Sequence, residues 1–351
     1  NWITTSGENI DLFEEEISKY LRTDNSVVAL NSGTSSIHLA LDNIGVGYGD
    51  EVLCSTFSFC ASANPIIYQK ATPIFIDSEN ETWNMDPFFL KEAIKDRINK
   101  NKKPKAIIVV DSYGMPAKWD EIIAIANENE IPIIQDSAAA LGSKYNNQSC
   151  GLMGDYGIFS FNLNKIITTS SGGALILNKD QNKNHIISTA SQSKISKTDY
   201  SYDKIGFNYR MSNVLASIGR AQLLGVNSKV LRRREINNIY INKLKSRGIK
   251  FLKEPSNRFY SNFWLSCLLF DLKELEINLS EIIQVFDSHQ VEVRRLWKPL
   301  HLQKIYKDSL FFGEKVALNL YKKGICLPSS SNLTKDEQEK VIGIIKNDIL
   351  K

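Results

Sequence analysis

The chain lacks the long apolar runs and the cysteine spacings that mark two large classes of protein. No apolar segment in its 351 residues approaches the roughly 20 residues that a membrane-spanning helix needs. No CxxC pair and no zinc-ligand spacing occurs. We therefore predict no membrane insertion, no metal site, and free thiols in a reducing cytoplasm. The five cysteines are Cys54, Cys60, Cys150, Cys267 and Cys326.

The sequence also lacks the charge runs and the glycine-rich turn that bind two common classes of ligand. The net charge is only +4, and the basic cluster 229–234 lies in a predicted helix, where a solvated face accounts for it. No nucleic-acid partner is therefore expected. A nicotinamide-dependent dehydrogenase needs GxGxxG after its first strand, whereas this chain has Ser32-Gly33-Thr34-Ser35-Ser36. The glycines of 151–157 have the wrong spacing, so this oxidoreductase class is disfavoured.

The chain does contain a regular alternation of short apolar runs with helix-length stretches. This pattern predicts an α/β fold with a mostly parallel sheet covered by helices on both faces. We predict a large α/β domain over 1–225, a linking helix over 226–247 and a smaller α+β domain over 248–351. A charged helix is expected from about Gln222 to Lys245. The predicted strands are Val27–Asn31, Glu51–Ser55, Pro73–Ile76, Ala106–Val110, Pro132–Gln135, Tyr156–Phe161, Ala174–Leu177, Asn262–Phe270 and Gln290–Arg294.

Polar residues follow the first predicted strand, at the edge where parallel sheets bind ligands. The segment 31–35, Asn-Ser-Gly-Thr-Ser, opens a helix there. The backbone N–H groups and the dipole of such a helix start form a site for phosphate, to which Thr34 and Ser35 add hydroxyl donors. Ser and Thr are also ordinary helix caps, so the segment is compatible with either role.

Asp136 and Lys165 are the charged residues best suited to chemistry. Asp136 directly follows an apolar strand, so its carboxylate is expected at the same edge, either as a helix cap or paired with a cationic ring nitrogen. Lys165 lies between apolar and hydroxyl residues just before a Gly pair. A lysine in that setting readily loses its proton and becomes a nucleophile, although a surface lysine on a turn is the alternative. Ser160 can reach a phosphate or be an ordinary strand residue.

Taken together, these segments resemble the DegT/DnrJ/EryC1/StrS family of sugar aminotransferases, which are fold-type I pyridoxal phosphate enzymes. The resemblance covers nearly the whole chain, and its motifs occur in the family's order. It implies the fold-type I architecture and pyridoxal 5′-phosphate as cofactor. The matching segments are Ser32-Gly33-Thr34, Phe59-Cys60-Ala61-Ser62-Ala63-Asn64, Asp136, Phe159-Ser160-Phe161, Lys165 and Gly206-Phe207-Asn208-Tyr209-Arg210-Met211-Ser212-Asn213.

The resemblance also implies roles for residues around the cofactor. Lys165 would hold pyridoxal phosphate covalently and later move the proton between donor carbon and cofactor. Asp136 would pair with the pyridinium nitrogen, and Phe59 would stack on the ring. Because one phosphate-binding residue would come from a second subunit, a homodimer with shared active sites is implied. The phosphate-binding residues would be Thr34, Ser35 and Ser160, with Asn208 from the second subunit.

Within the family, the chain most resembles the enzymes that make UDP-4-amino-4,6-dideoxy-N-acetylglucosamine. This implies L-glutamate as amino donor and the C4 keto group of UDP-2-acetamido-2,6-dideoxy-4-keto-hexose as acceptor, for polysaccharide biosynthesis or protein glycosylation. The segments 162–170, 264–266, 294–301 and 324–329 carry this likeness. Candidate nucleotide-sugar residues are Arg294, Trp297, Lys298 and His301, and arginine has the fork geometry that suits a diphosphate. Packing or surface charge is the alternative role for all four.

Four positions depart from the family pattern. Ala139 replaces a usual polar residue, Asp111 a common histidine, Ser171 an acid or glycine, and Phe263 a frequent arginine. None of these changes removes the lysine or the acid at the cofactor, so they bear on the substrate more than on the cofactor. Ala139 motivates an alternative function, namely a pyridoxal phosphate- or nucleotide-sugar-binding protein of the same fold with weak or no transaminase turnover.

Overall fold

A computed structural model of the protein describes residues 3–178, 182–195, 199–246 and 248–350. The helices in these ranges are α1 Glu8–Leu21, α2 Gly33–Ile44, α3 Asn64–Tyr68, α4 Pro87–Asn99, α5 Trp119–Glu128, α6 Lys183–Ala190, α7 Asn213–Leu223, α8 Val226–Lys243, α9 Leu279–Ser288, α10 Val316–Lys323 and α11 Lys335–Ile344. Short 3₁₀ turns span Cys60–Ser62, Ser112–Gly114, Leu300–Leu302 and Lys304–Tyr306, and a π-helical turn spans Ile345–Ile349.

The strands are short, as the sequence predicts for a sheet buried on both faces. They are β1 Ser26–Leu30, β2 Glu51–Ser55, β3 Thr72–Ile76, β4 Ala106–Val110, β5 Ile133–Asp136, β6 Lys144–Tyr145, β7 Gln148–Ser149, β8 Tyr156–Ser160, β9 Gly173–Leu177, β10 Ile249–Phe251, β11 Phe259–Tyr260, β12 Ser266–Phe270, β13 Arg294–Arg295, β14 Phe311–Phe312 and β15 Gly324–Leu327.

In the described part of the chain, eight strands form the main sheet in the order β1-β9-β8-β5-β4-β2-β3-β14. β9 runs antiparallel to both of its neighbours, while the pairs from β8 to β14 are parallel. The carboxyl ends of the parallel strands therefore lie along one edge. The connection from β8 to β9, residues 161–172, returns at that same edge and contains Lys165.

Side chains alternate along each strand, so the sheet carries one hydrophobic core on each face. One core combines Val27 and Ala29 of β1 with apolar residues of α1, α4 and α5. The other combines Val28 and Leu30 with residues of α2, α3 and α6. This is the three-layer α/β/α arrangement that the alternating sequence pattern predicts, and it confirms the mostly parallel sheet.

The C-terminal third builds a second sheet, which within the described residues has four antiparallel strands in the order β10-β12-β15-β13. It has its own hydrophobic core with helices α8, α9 and α11. α8 connects the two parts, because Val226 and Val230 pack into the core beside the main sheet and Ile236 and Tyr240 pack into the core of the second. The short strands β6, β7 and β11 form a further small antiparallel sheet in the described residues.

Three predicted element boundaries are wrong, each for a local reason. The charged helix predicted over 222–245 is broken at Leu224–Gly225 between α7 and α8, since glycine is a poor helix former. The strand predicted from Asn262 starts only at Ser266, because the Asn262 side chain accepts a hydrogen bond from the backbone N–H of Trp264 and closes a turn. The strand predicted from Gln290 is reduced to β13, since Gln290 adopts φ 57° directly after α9.

Candidate active site

The residues predicted to carry chemistry come from different elements that meet at the carboxyl edge of the main sheet. Asp136 is the last residue of β5 and Ser160 the last of β8, while helix α2 starts just after β1. Lys165 lies in the connection that follows β8. Ligands bind at this edge of open α/β sheets, so the fold brings a lysine, a carboxylate and a helix N-terminus to the place where a ligand is expected.

The Lys165 amine is enclosed although the residue as a whole is only half-buried. Its Nζ lies 4.3 Å from the ring centroid of Trp264. Burial lowers the pKa of Lys165 from its usual value to about 8, and the nearby Asp136 charge opposes this shift. Both protonation states of the amine are therefore accessible near neutral pH, as a group that accepts and returns a proton requires.

Asp136 is a buried carboxylate held by defined donors. Ser62 donates its hydroxyl to Oδ2 at 2.6 Å, and the backbone N–H of Ala138 donates to Oδ1 at 3.1 Å. Burial raises the pKa of Asp136, whereas these two hydrogen bonds and the Lys165 charge act in the opposite direction. A buried carboxylate aimed at a ligand edge is suited to a cationic partner, because burial of a lone negative charge is costly.

The start of α2 lies at the edge where the sequence suggested an anion site, and its first turn is capped by a side chain. Ser32 caps the helix by accepting from the Ser35 N–H at 3.0 Å, and Ser35 donates its hydroxyl to Asn31 Oδ1 at 2.5 Å. Thr34 lies half-buried in the first turn. A Cβ at Gly33 would approach the Ser160 Cβ to 3.2 Å, so Ser160 lies directly beside the helix start. The two features predicted to hold a phosphate are thus neighbours.

Phe59 and Asn208 both lie at the protein surface. Phe59 is 60% exposed and immediately precedes the turn that contains Ser62. Asn208 is exposed, and its backbone carbonyl accepts from the Asn31 side chain at 3.2 Å. An exposed phenylalanine ring is available for stacking on a planar ligand.

An aromatic cluster lies next to Lys165, and the sequence analysis did not include two of its members, Tyr113 and Phe57. Tyr113 and Trp297 stack at 4.2 Å between ring centroids, and the backbone N–H of Trp297 donates to the Tyr113 hydroxyl at 2.8 Å. Phe57 and Trp264 complete the cluster. Trp264 and Ser62 lie in segments that carry the family resemblance, but their contacts depend on parts of the chain that are far apart in sequence.

The four candidate nucleotide-sugar residues occupy different surroundings. Trp297 belongs to the aromatic cluster. His301 bonds through Nδ1 to the Thr56 hydroxyl at 2.7 Å, and burial lowers the pKa of His301. Arg294 is 80% exposed and pairs with Glu292, and Lys298 is exposed as well. The structure therefore fixes Trp297 and His301 firmly and leaves the two cations at the surface.

The positions that depart from the family pattern are structurally accommodated. Asp111 accepts four hydrogen bonds, from the Ala117 N–H and from the side chains of Trp119, Gln135 and Ser137, and burial raises the pKa of Asp111 to about 6. It organises the loop between β4 and α5. Ala139 is buried, and its carbonyl accepts from the Asn262 amide at 2.9 Å. The Ser171 hydroxyl donates to the Asn31 carbonyl, and Phe263 is buried at φ 44°.

The described residues contain neither a cluster of metal ligands nor a membrane-spanning helix. Among them, no group of three His, Cys, Asp or Glu side chains is arranged to hold a metal ion. Within the same ranges, no helix is both long and apolar enough to cross a membrane.

Comparison with known sequences gives a match over nearly the whole chain. The family model described as the DegT/DnrJ/EryC1/StrS aminotransferase family matches residues 1–346. EpsN of Bacillus subtilis (strain 168), named as a pyridoxal phosphate-dependent aminotransferase, is 41% identical over 98% of this chain and 89% of its own length. GDP-perosamine synthase of Vibrio cholerae is 32% identical over 99% of this chain and 92% of its own. The UDP-4-amino-4,6-dideoxy-N-acetyl-beta-L-altrosamine transaminase of Campylobacter jejuni (strain 81-176) is 32% identical over 93% and 86%.

Solved structures also match nearly the whole chain. A DegT DnrJ EryC1 StrS aminotransferase from Brucella abortus superposes with a TM-score of 0.92 at 28% identity, covering 99% of this chain and 92% of that one. Spr1654 of Streptococcus pneumoniae, named as a sugar aminotransferase and solved in its PLP form, gives 0.89 at 27% identity over 99% and 92%. These matches confirm the predicted fold-type I architecture.

Proposed function

The chain belongs to the DegT/DnrJ/EryC1/StrS aminotransferase family, and from this premise we propose that it moves an amino group from L-glutamate to the C4 keto group of a UDP-linked 4-keto-6-deoxy sugar. It is a pyridoxal phosphate-dependent sugar aminotransferase. The proposed acceptor is UDP-2-acetamido-2,6-dideoxy-4-keto-hexose. The meeting of Lys165, the Asp136 carboxylate and the start of α2 at the carboxyl edge of the main sheet is the observation that carries the proposal.

The residues present fit pyridoxal phosphate. Gly33 leaves room beside Ser160 that a Cβ would reduce, and the start of α2 supplies N–H groups for a phosphate. When bound, the cofactor supplies an electron sink that lets an amino group leave one carbon and join another. Lys165 would hold it covalently and Asp136 would retain the proton on its ring nitrogen. Phe59 would stack on the ring, and Thr34, Ser35 and Ser160 would bind the phosphate.

Lys165 is proposed to carry the proton in both half-reactions. Its amine, with a pKa of about 8, would move one proton from the donor carbon to the cofactor in the first half-reaction and one from the cofactor to the acceptor carbon in the second. Asp136 supports this cycle because its charge raises the pKa of Lys165 against the effect of burial. The buried Trp264 ring covers one side of the amine, and partial exclusion of water there strengthens the interaction of the two charges.

The choice of UDP is the finer part of the proposal. The relatives include both a GDP-sugar enzyme and a UDP-sugar transaminase, so family membership by itself leaves the nucleotide open. The resemblance of segments 162–170 and 294–301 to UDP-sugar enzymes favours UDP. Trp297 and His301 are proposed to face the sugar nucleotide, with Arg294 and Lys298 attracting its diphosphate from the surface.

A homodimer with shared sites is the remaining part of the proposal. Asn208 is exposed on a segment whose backbone is fixed to Asn31 in its own chain, so its side chain is available to a second subunit. We propose that it completes the phosphate site of that subunit. In an isologous dimer with one two-fold axis, each subunit would then contribute its Asn208 to the phosphate site of the other.

A substrate comparison tests the proposed function. We would measure kcat/KM for amination of a UDP-4-keto-6-deoxy sugar and of a GDP-4-keto-6-deoxy sugar, with L-glutamate as donor and product detection by mass spectrometry. The proposal predicts a preference for UDP of at least about 10²-fold, since a site built for polar groups rejects an analogue that leaves them unpaired. Lys165→Ala is the inactive control. Amination of the GDP sugar with equal or higher efficiency would contradict the choice of UDP.

A further inference from the structure

Trp264 lies directly against the reactive lysine. The Lys165 Nζ is 4.3 Å from the centroid of its ring, and Trp264 itself is buried. The face of an indole attracts a cation within about 6 Å, and the attraction is larger where water is excluded. Trp264 therefore favours the ammonium form of Lys165, and it gives the amine a preferred position.

Hydrogen bonds fix Trp264 at three points. Its indole Nε1–H donates to the Asn164 carbonyl at 2.7 Å, one residue before Lys165. Its backbone N–H donates to Asn262 Oδ1 at 2.8 Å, and its carbonyl accepts from the Arg233 guanidinium of α8. These bonds hold the indole ring, the backbone N–H and the backbone carbonyl of Trp264. The indole therefore cannot turn away from the lysine.

The same network connects Trp264 to the chain that follows Asp136. The Asn262 amide donates to the Ala139 and Leu141 carbonyls, each at 2.9 Å. Asn262 thus links Trp264, which contacts the lysine, to the segment that follows Asp136. The relative position of the two charged groups is therefore set by one continuous set of hydrogen bonds.

We propose that Trp264 is a positioning residue that holds the Lys165 amine within reach of the reacting carbon whenever that amine is not bonded to the cofactor. The inference rests on the proposed role of Lys165 and is independent of the sugar nucleotide. The charged and titratable groups around this pair are Asp136 on β5, which acts on the amine, Arg233 on α8, which bonds the Trp264 carbonyl, and Tyr113, whose buried ring stacks at 6.2 Å from the indole.

The test is the pKa of Lys165 in the cofactor-free protein, measured from the pH dependence of its acetylation by trace acetic anhydride with quantification by mass spectrometry. In Trp264→Leu we expect a pKa lower by about 0.5–1.5 units, because the ring no longer stabilises the ammonium. Trp264→Phe keeps an aromatic face and is expected to retain most of the wild-type value. Trp264→Met, with a flexible side chain, is the second ringless variant if the leucine protein does not fold.

Trp297→Leu is the matched control. It removes another indole of the same cluster, 6.3 Å from Trp264, and should leave the pKa of Lys165 unchanged. An unchanged pKa in the folded ringless variants would overturn the inference. An equal fall in Trp297→Leu would do the same, since it would indicate a general loss of packing. Failure to aminate a UDP sugar would refute the proposed function but would not change the expected pKa of Lys165 in these variants.

Discussion

At Lys165, two opposing effects set the protonation of a single amine. Burial lowers its pKa to about 8 and the Asp136 charge raises it. Below this pKa the folded protein carries an ammonium ion, which has no lone pair to attack a carbonyl. We predict that the rate of pyridoxal phosphate capture by cofactor-free protein rises about tenfold per pH unit below 8 and levels off above it. Stopped-flow absorbance from pH 6.5 to 9.5 measures this, and a flat profile would contradict it.

Two substitutions distinguish the effect of the Asp136 charge from the effect of its hydrogen bond with Ser62. Asp136→Asn removes the charge, and we predict a loss of kcat of about 10- to 100-fold, the range for a lost hydrogen bond to a charged group. Ser62→Ala keeps the charge and removes the 2.6 Å bond, so a smaller loss of about 2- to 10-fold is expected. Steady-state kinetics of both variants provide the comparison. Equal losses would mean that the charge has no special role.

At the scale of elements, Glu14 joins α1 to β1 and to the segment after Asn208. Its buried carboxylate accepts from the Ala29 N–H and from Arg210, each at 2.8 Å, and pairs with Lys183 at 2.7 Å. Glu14→Ala leaves a buried arginine without its partner, and we predict a destabilisation of about 3–5 kcal/mol in urea unfolding. Glu15→Ala, an exposed neighbour on the same helix, is the control and should leave the unfolding midpoint unchanged. Similar midpoints for the two variants would refute the prediction.

Elements of the main sheet could be predicted from sequence because their signal is local. Fully apolar runs such as Ala106–Val110 need no tertiary information, and this strand was predicted with its observed bounds. β14, at the sheet edge, was not predicted, since two residues carry no periodicity and pair with β3 only through tertiary folding. The strand predicted from Asn262 failed because a side-chain bond to the backbone, invisible in the pattern, closes a turn.

The residues of the candidate site also differ in how far the sequence alone could predict them. Lys165 and Asp136 stand out in the sequence because a charge among apolar residues at a strand end is unusual. The Ser62 bond and the Trp264 contact were not foreseen, because the partners are far apart in the chain and meet only in the folded protein. The division into 1–225, 226–247 and 248–351 remains a proposal, and residue 247 lies outside the described residues.

At the scale of the whole molecule, shared active sites predict complementation between two defective variants. Lys165→Ala removes the lysine from its own site, whereas Asn208→Ala would impair the site of the partner subunit. A mixed dimer then contains one site with both defects and one intact site. After unfolding and refolding an equal mixture, we predict recovery of about a quarter of wild-type activity, because half of the dimers are mixed. No recovery above the sum of the separate variants would contradict the sharing of sites.

We propose that Lys165 and its bound cofactor carry an amino group from glutamate to a UDP-linked keto sugar. The most direct measurement is the absorption spectrum of the pyridoxal phosphate-loaded protein, first with L-glutamate and then with a UDP-4-keto-6-deoxy sugar. We predict that glutamate bleaches the visible band of the bound cofactor and that the sugar restores it, with formation of an amino sugar. A band that is unaffected by glutamate would contradict the claim and favour a binding protein of the same fold.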